Sequence, residues 1–182
     1  TYNLPTPTIL QGNKYMDASL YTGDGSSSLT AVNQAQFKPD FVWLKSRSAA
    51  TDHKLFDSVR GVQKQLTVNT GIETTQTTAL SAFNTNGFTI GALANVNTSA
   101  ATYVGWQWQA GQGTTTVNTS GTISSNVSVS TTAGFSVVTY IGNGTNGASV
   151  GHGLGVTPAM VMWKNRSVGG VGYNWIVYHK SL

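Results

Sequence analysis

Acid–base chemistry has little to draw on in this chain of 182 residues, which carries 6 acidic side chains and 3 histidines. The acids are Asp17, Asp24, Asp40, Asp52, Asp57 and Glu73, and no two share a spacing that sets up a hydrolytic pair. His53, His152 and His179 fall in no HxH or HExxH pattern of the kind that marks a metal. With no cysteine there is neither a thiolate ligand nor a disulfide framework. Serine is plentiful, yet no G-x-S-x-G elbow occurs. Residues 142–147, GNGTNG, match G-x-G-x-x-G literally and follow a predicted strand. A dinucleotide site needs a helix N-terminus behind those glycines to hold the pyrophosphate, and residues 148–158 are glycine-rich and end in Pro158. A turn between strands is expected there. The chain reads as a non-enzyme without cofactor or metal.

The side chains that could meet a partner are basic or aromatic. Lys45 with Arg47, and Lys164 with Arg166, stand at the same place after two similar strands. Such a pair suits an acidic partner, and it also suits a solvated strand end that discourages edge pairing. Trp175, in NWIVYH, and His152, in the loop GHGLG, complete the candidate partner or glycan contacts. Trp43, Trp106, Trp108 and Trp163 lie in predicted strands at core-like spacing, so packing is their expected role. The formal charge of +4 and pI of about 9.4 come from 10 basic residues spread along the chain, which gives no basic stripe for nucleic acid. No apolar run approaches the roughly 18 residues of a membrane span, and the opening TYNLPTPTIL has no signal-peptide pattern.

The elements that must position these residues are strands. Only 9% of residues are charged, against about 25% in an average globular protein, and Thr, Ser, Asn and Gly take the polar positions. That exchange favours β-structure with hydroxyl-rich faces and tight turns, and no stretch has the pattern of a long amphipathic helix. The chain also repeats itself. Residues 21–48 align without a gap on residues 140–167 at an offset of 140 − 21 = 119, with identities at Tyr21/Tyr140, Gly23/Gly142, Gly25/Gly144, Pro39/Pro158, Val42/Val161, Lys45/Lys164, Arg47/Arg166 and Ser48/Ser167. A duplication of this kind defines the building unit.

The expected organisation is all-β, with tandem antiparallel β-sandwich units of jelly-roll or concanavalin-like type. Residues 1–13, with Pro5 and Pro7, read as an extended arm; 14–112 as the first unit; 113–118 as a linker; and 119–182 as the first half of a second unit. Strands are predicted over residues 15–21, 40–45, 53–57, 62–68 and 102–109, with an Asn-Gly hairpin turn at residues 84–87. Phe135 to Tyr140 repeats Met16 to Tyr21, and residues 174–179 correspond to residues 53–57 after a small insertion. The stretch 58–109 of the first unit has no counterpart in the second. An antiparallel sheet divided in this way exposes an unpaired edge and half a core, so the natural chain is expected to continue or a neighbouring subunit to complete the sheet.

The combination MDASLYTGDG, FKPDFVWLKSRSAATDHKLFDSVRG, FNTNGFTIG, TYVGWQWQAG and FSVVTYIGNGTNGASVGHGLGVTPAMVMWKNRS, followed by NWIVYHKSL, resembles a family of structural proteins of tailed bacteriophages, common in marine and cyanobacterial phages and labelled tail fibre or SPRY-like and concanavalin-like proteins. The resemblance covers residues 13–182. It implies tandem β-sandwiches within a long virion protein, located in the extracellular particle. The implied partners are other virion proteins and copies of the chain itself, with a host-surface glycan as a further target and neither nucleic acid nor membrane insertion. No catalytic or ligand residues carry over from that family. A capsid decoration protein and a carbohydrate-binding module are the alternatives, with a glycan-degrading enzyme third.

Overall fold

The computed structural model describes residues 11–68, 71–168 and 173–182, and the chain is all-β. In chain order the strands are β1 (Met16–Thr22), β2 (Leu29–Val32), β3 (Phe41–Ser46), β4 (Lys54–Asp57), β5 (Lys64–Thr67), β6 (Thr74–Thr75), β7 (Leu80–Asn84), β8 (Gly87–Ile90), a one-turn helix α1 (Ala94–Asn97), β9 (Thr102–Trp108), β10 (Thr116–Asn118), β11 (Ser125–Ser130), β12 (Phe135–Tyr140), β13 (Met160–Trp163) and β14 (Ile176–His179). The expected extended arm falls largely on residues 1–10, outside the described residues. At its end Gly12–Lys14 form a single 3-10 turn instead.

The first unit is a sandwich of two antiparallel sheets. One has the order β1-β9-β3-β4-β5-β6 and the other β2-β8-β7. Alternation along β3 places Val42 and Leu44 toward the second sheet, where they pack with Phe56, Ala31, Leu80, Phe88, Ile90 and Val96, and Phe41 and Trp43 lie half-buried on the opposite face. Burying each large side chain in this core contributes roughly 1.5–3 kcal/mol. β9, the last strand of the unit in sequence, inserts between the first and third, pairing Leu20↔Val104 on one side and Leu44↔Gly105 on the other. Gly105 permits this insertion: a Cβ there would lie 2.7 Å from Phe88 Cζ across the sandwich.

The turn signal at residues 84–87 marks the β7–β8 hairpin, in register Asn84↔Gly87, so Thr85 and Asn86 form its tip. Gly87 serves less as a turn centre than as a point of close approach, since a Cβ there would meet the Ala31 carbonyl oxygen of β2. A bulge at Ser81 shifts the register between Leu80 and Ala82.

Residues 113–118, expected as a linker, are corrected by the structure. Thr116–Asn118 form β10, which pairs with β11, and β11 pairs with β12 in a three-stranded sheet. The residues before β10 are fixed by Asp40, which is 0% exposed. Its Oδ2 accepts the amides of Ala110 and Gln112 at 2.8 and 2.7 Å. Its Oδ1 accepts the Gly113 amide at 2.8 Å and the hydroxyls of Ser58 and Ser128 at 2.6 and 3.0 Å. Composition marks this segment as flexible because the anchoring carboxylate lies some 70 residues earlier in the sequence. Phe135 of β12 then stacks on Trp108, with centroids 6.1 Å apart and planes at 19°, and so covers part of the outer face of the large sheet.

Two substitutions test this account by denaturant unfolding. Gly105→Ala should cost about 1–3 kcal/mol through overpacking against Phe88. Asp40→Ala should cost about 3–5 kcal/mol, because three amides, that of Ala110 buried, and two hydroxyls lose their acceptor together.

Candidate assembly surface

The second repeat copies the first with measurable fidelity. β13 corresponds to β3 at the offset of 119, and β14 to β4 at 179 − 57 = 122. The pairing Met160↔His179 reproduces Phe41↔Asp57, and Trp163↔Ile176 reproduces Leu44↔Lys54. The three-residue difference between the offsets is the small insertion expected ahead of NWIVYH. What differs is burial. Leu44, Leu55 and Phe56 are 0% exposed, while their counterparts Trp163, Val177 and Tyr178 are 40%, 46% and 47% exposed. With Met160 and Ile176 also exposed, the β13–β14 hairpin presents apolar side chains on both faces.

Trp175 and Arg166 hold this hairpin to the first unit. Trp175 Nε1 donates to the Thr67 carbonyl on β5 at 3.0 Å. Glu73, beside β6, donates its amide to the Arg166 carbonyl at 2.9 Å, and its carboxylate accepts Arg166 Nη1 at 3.1 Å and Arg60 Nη1 at 3.2 Å. Arg60, whose side chain is 2% exposed, also pairs with Asp57 and donates to the carbonyls of Lys64 and Leu55. Partial burial raises the Glu73 pKa, but hydrogen bonds from Arg166 and Arg60 and their charges outweigh it, so the carboxyl sits below its usual 4.5.

The candidate contact residues therefore separate. Lys45 Nζ closes the turn after β3, donating to the carbonyls of Ser46 at 2.7 Å and Ala49 at 3.2 Å. Lys164 repeats this after β13 on Asn165 at 2.9 Å and Tyr173 at 2.7 Å. The recurring lysine is thus explained as a cap on its own loop's carbonyls, in place of an open contact with an acidic partner. Arg47 has an exposed side chain, and its backbone amide extends the β3–β9 ladder to the Thr102 carbonyl at 2.7 Å. Arg166 is paired with Glu73, which gives it a role within the chain. Trp175 is half-buried with its indole N–H committed, so it is not an open stacking platform. His152 is half-buried, with Nδ1 accepting the Leu154 amide at 3.2 Å and its carbonyl accepting the Ser136 hydroxyl at 2.6 Å. The structure brings Arg166 and Trp175 to one junction and leaves Arg47 and His152 apart from it.

Sequence reasoning missed Arg60, Asp57 and Glu73 as a cluster, because their meeting depends on β4, β5 and β6 lying side by side. It also missed the pairing of Trp43 Nε1 with His53 Nδ1 at 2.8 Å. Burial and the nearby Lys45 charge lower the His53 pKa, in keeping with a neutral ring that accepts from tryptophan. Residues 142–147 form a loop with no helix behind it, as the glycine pattern predicts. Among the described residues no group of three or more His, Cys, Asp or Glu is placed to hold a metal, and no helix is long and apolar enough to cross a membrane.

Residues 11–182 match a family model described as a domain of unknown function (DUF7483), and the chain belongs to that family. The matched span takes in both repeats. No curated protein and no solved structure matches the chain.

Because the folded-state pKa of Glu73 is lowered, its contribution to stability is complete above pH 4.5 and is lost as pH falls through the lowered value. Glu73→Gln should lower stability by about 1 kcal/mol at pH 7, and the difference from the parent should close as pH drops below 4.5. Unfolding curves measured across that range read this directly, and a constant difference would remove Glu73 as its source.

Proposed function

We propose that this chain is a non-enzymatic structural component of a bacteriophage virion, part of a tail fibre or another appendage, that acts in assembly and in host-surface adhesion. The observation that carries this reading is the contrast between the two repeats. One is a closed sandwich with Leu44, Leu55 and Phe56 fully buried, and the other holds the same strands with their apolar side chains open. Exposed apolar surface on a rigid β scaffold is suited to being covered in an assembly. The sequence resemblance to tailed-phage structural proteins points the same way.

The ring cluster on the large sheet gives a carbohydrate-binding reading less support. Trp43 meets Trp106 and His53 edge to face, at 71° and 74°, and its N–H is already donated. Those rings do not offer the flat, paired face on which a sugar stacks.

Antibody labelling of purified particles by electron microscopy tests the proposal. The expected result is label on the tail, a fibre or another appendage. Absence of the chain from particles, or polysaccharide hydrolysis by the isolated chain, would overturn it.

A further inference from the structure

His53 is the last residue of the loop between β3 and β4, and its ring is tied to a strand of the sheet by one hydrogen bond. Its Nδ1 accepts the indole N–H of Trp43 at 2.8 Å, with the two rings edge to face at 74°. Trp43 meets Trp106 of β9 in the same manner, with centroids 5.9 Å apart. All three rings are half-buried on the outer face of the large sheet, so the imidazole remains within reach of solvent protons.

The loop itself is braced from β3. Lys45 Nζ donates to the carbonyls of Ser46 and Ala49, Ser46 Oγ accepts the Ala49 amide at 3.1 Å, and the Ala49 carbonyl accepts the Thr51 amide at 3.0 Å. Thr51 Oγ1 is buried and has no hydrogen-bond partner. Among the described residues the charged groups that act on His53 are Lys45, from β3, and Asp52, from the loop, which lies 3.8 Å from Lys54 Nζ on β4. Its neighbours Trp43 and Trp106 carry no charge. Burial and the Lys45 charge favour the neutral ring, Asp52 opposes them, and the first two prevail, so the imidazole titrates below its usual 6.5.

A neutral imidazole that accepts at Nδ1 carries its proton on Nε2. A second proton can go only to Nδ1, where it turns the acceptor of the Trp43 bond into a donor. Two N–H groups then face one another, and the bond is lost. The new charge also adds to that of Lys45, the side chain that braces the loop, while Thr51 Oγ1 is an acceptor in that loop that the neutral state leaves unused.

We propose that the Trp43–His53 pair is a proton-operated latch, closed at neutral pH and opened in mild acid, whose opening frees the Trp43 indole N–H on the outer sheet face and loosens residues 47–53. The device belongs to the first unit alone, since Met162 and Trp175 take the places of Trp43 and His53 in the second repeat. With the folded-state pKa lowered, the unfolded chain takes up the proton first. The linked stability is therefore complete above pH 6.5 and is lost as pH falls through the lowered value.

NMR spectra of the full chain between about pH 8 and pH 5 read the latch directly. The His53 ring and the Trp43 indole N–H should titrate with one common midpoint below 6.5. Exchange of the indole proton with water should speed about tenfold across it, the factor set by the net strength of one such hydrogen bond. Amide exchange over residues 47–53 should speed with the same midpoint. Trp43→Phe should raise the His53 midpoint toward 6.5, and His53→Gln, uncharged at every pH, should hold the Trp43 resonance constant while His152 and His179 still titrate. Should the phenylalanine variant fail to fold, the glutamine variant decides alone. A His53 midpoint at or above 6.5, a Trp43 resonance that ignores His53, the same Trp43 response in the glutamine variant, or unchanged exchange over residues 47–53 would overturn the proposal. The latch rests on the geometry of the first unit and not on the virion reading, which particle labelling tests separately.

Discussion

A carboxylate with no exposed surface at the start of a central strand is a costly arrangement, since removing such a charge from water costs several kcal/mol unless donors replace the lost hydration. Asp40 meets that requirement with three amides and two hydroxyls drawn from separate parts of the chain. Its backbone takes part as well, its amide donating to Trp108 and its carbonyl accepting from Ser58, both at 2.8 Å. One residue thereby fixes the entry to β3, the exit from β9, the corner after β4 and, through Ser128, the first full strand of the next sheet. The continuity of the two repeats depends on it. The matching position of the second repeat is Ala159, so the knot is not repeated.

That asymmetry runs through the molecule. In the first unit β9 returns from far along the sequence to lie between β1 and β3, and Gly105 makes room for Phe88 to cross the sandwich. The second repeat holds copies of β1 and β3, as β12 and β13, and of Tyr21, Gly23, Arg47 and Ser48, which contact β9 or its lead-in in the first. Its hairpin is steadied from behind by Arg166, Glu73 and Trp175 in place of a sheet partner. Unpaired edges are ordinarily blunted in natural β proteins, and β13, which among the described residues pairs with β14 alone, carries apolar side chains along its length. Such an edge suits a surface that becomes buried in an assembly.

Much of the fold was legible in the sequence. Alternation gave β3 as central and apolar on both faces, the Asn-Gly signal located the β7–β8 hairpin, and the 119-residue offset located β12 and β13. The contact residues were less legible. Lys45 and Lys164 were visible as a repeated basic position, but a lysine that caps its own loop has the same sequence signature as one that waits for a partner. The strand at residues 116–118 was hidden because its order comes from Asp40 and from pairing with β11, and neither leaves a mark on local composition.

The sequence by itself determined the β character and the repeat, because side-chain alternation, turn chemistry and internal identity are local properties of the string. Only the tertiary structure decided what the repeated residues are for. Tyr21, Gly23, Arg47 and Ser48 acquire their meaning from β9, about 50 to 80 residues away in the sequence, and contacts over that range follow from strand order, which no local pattern specifies.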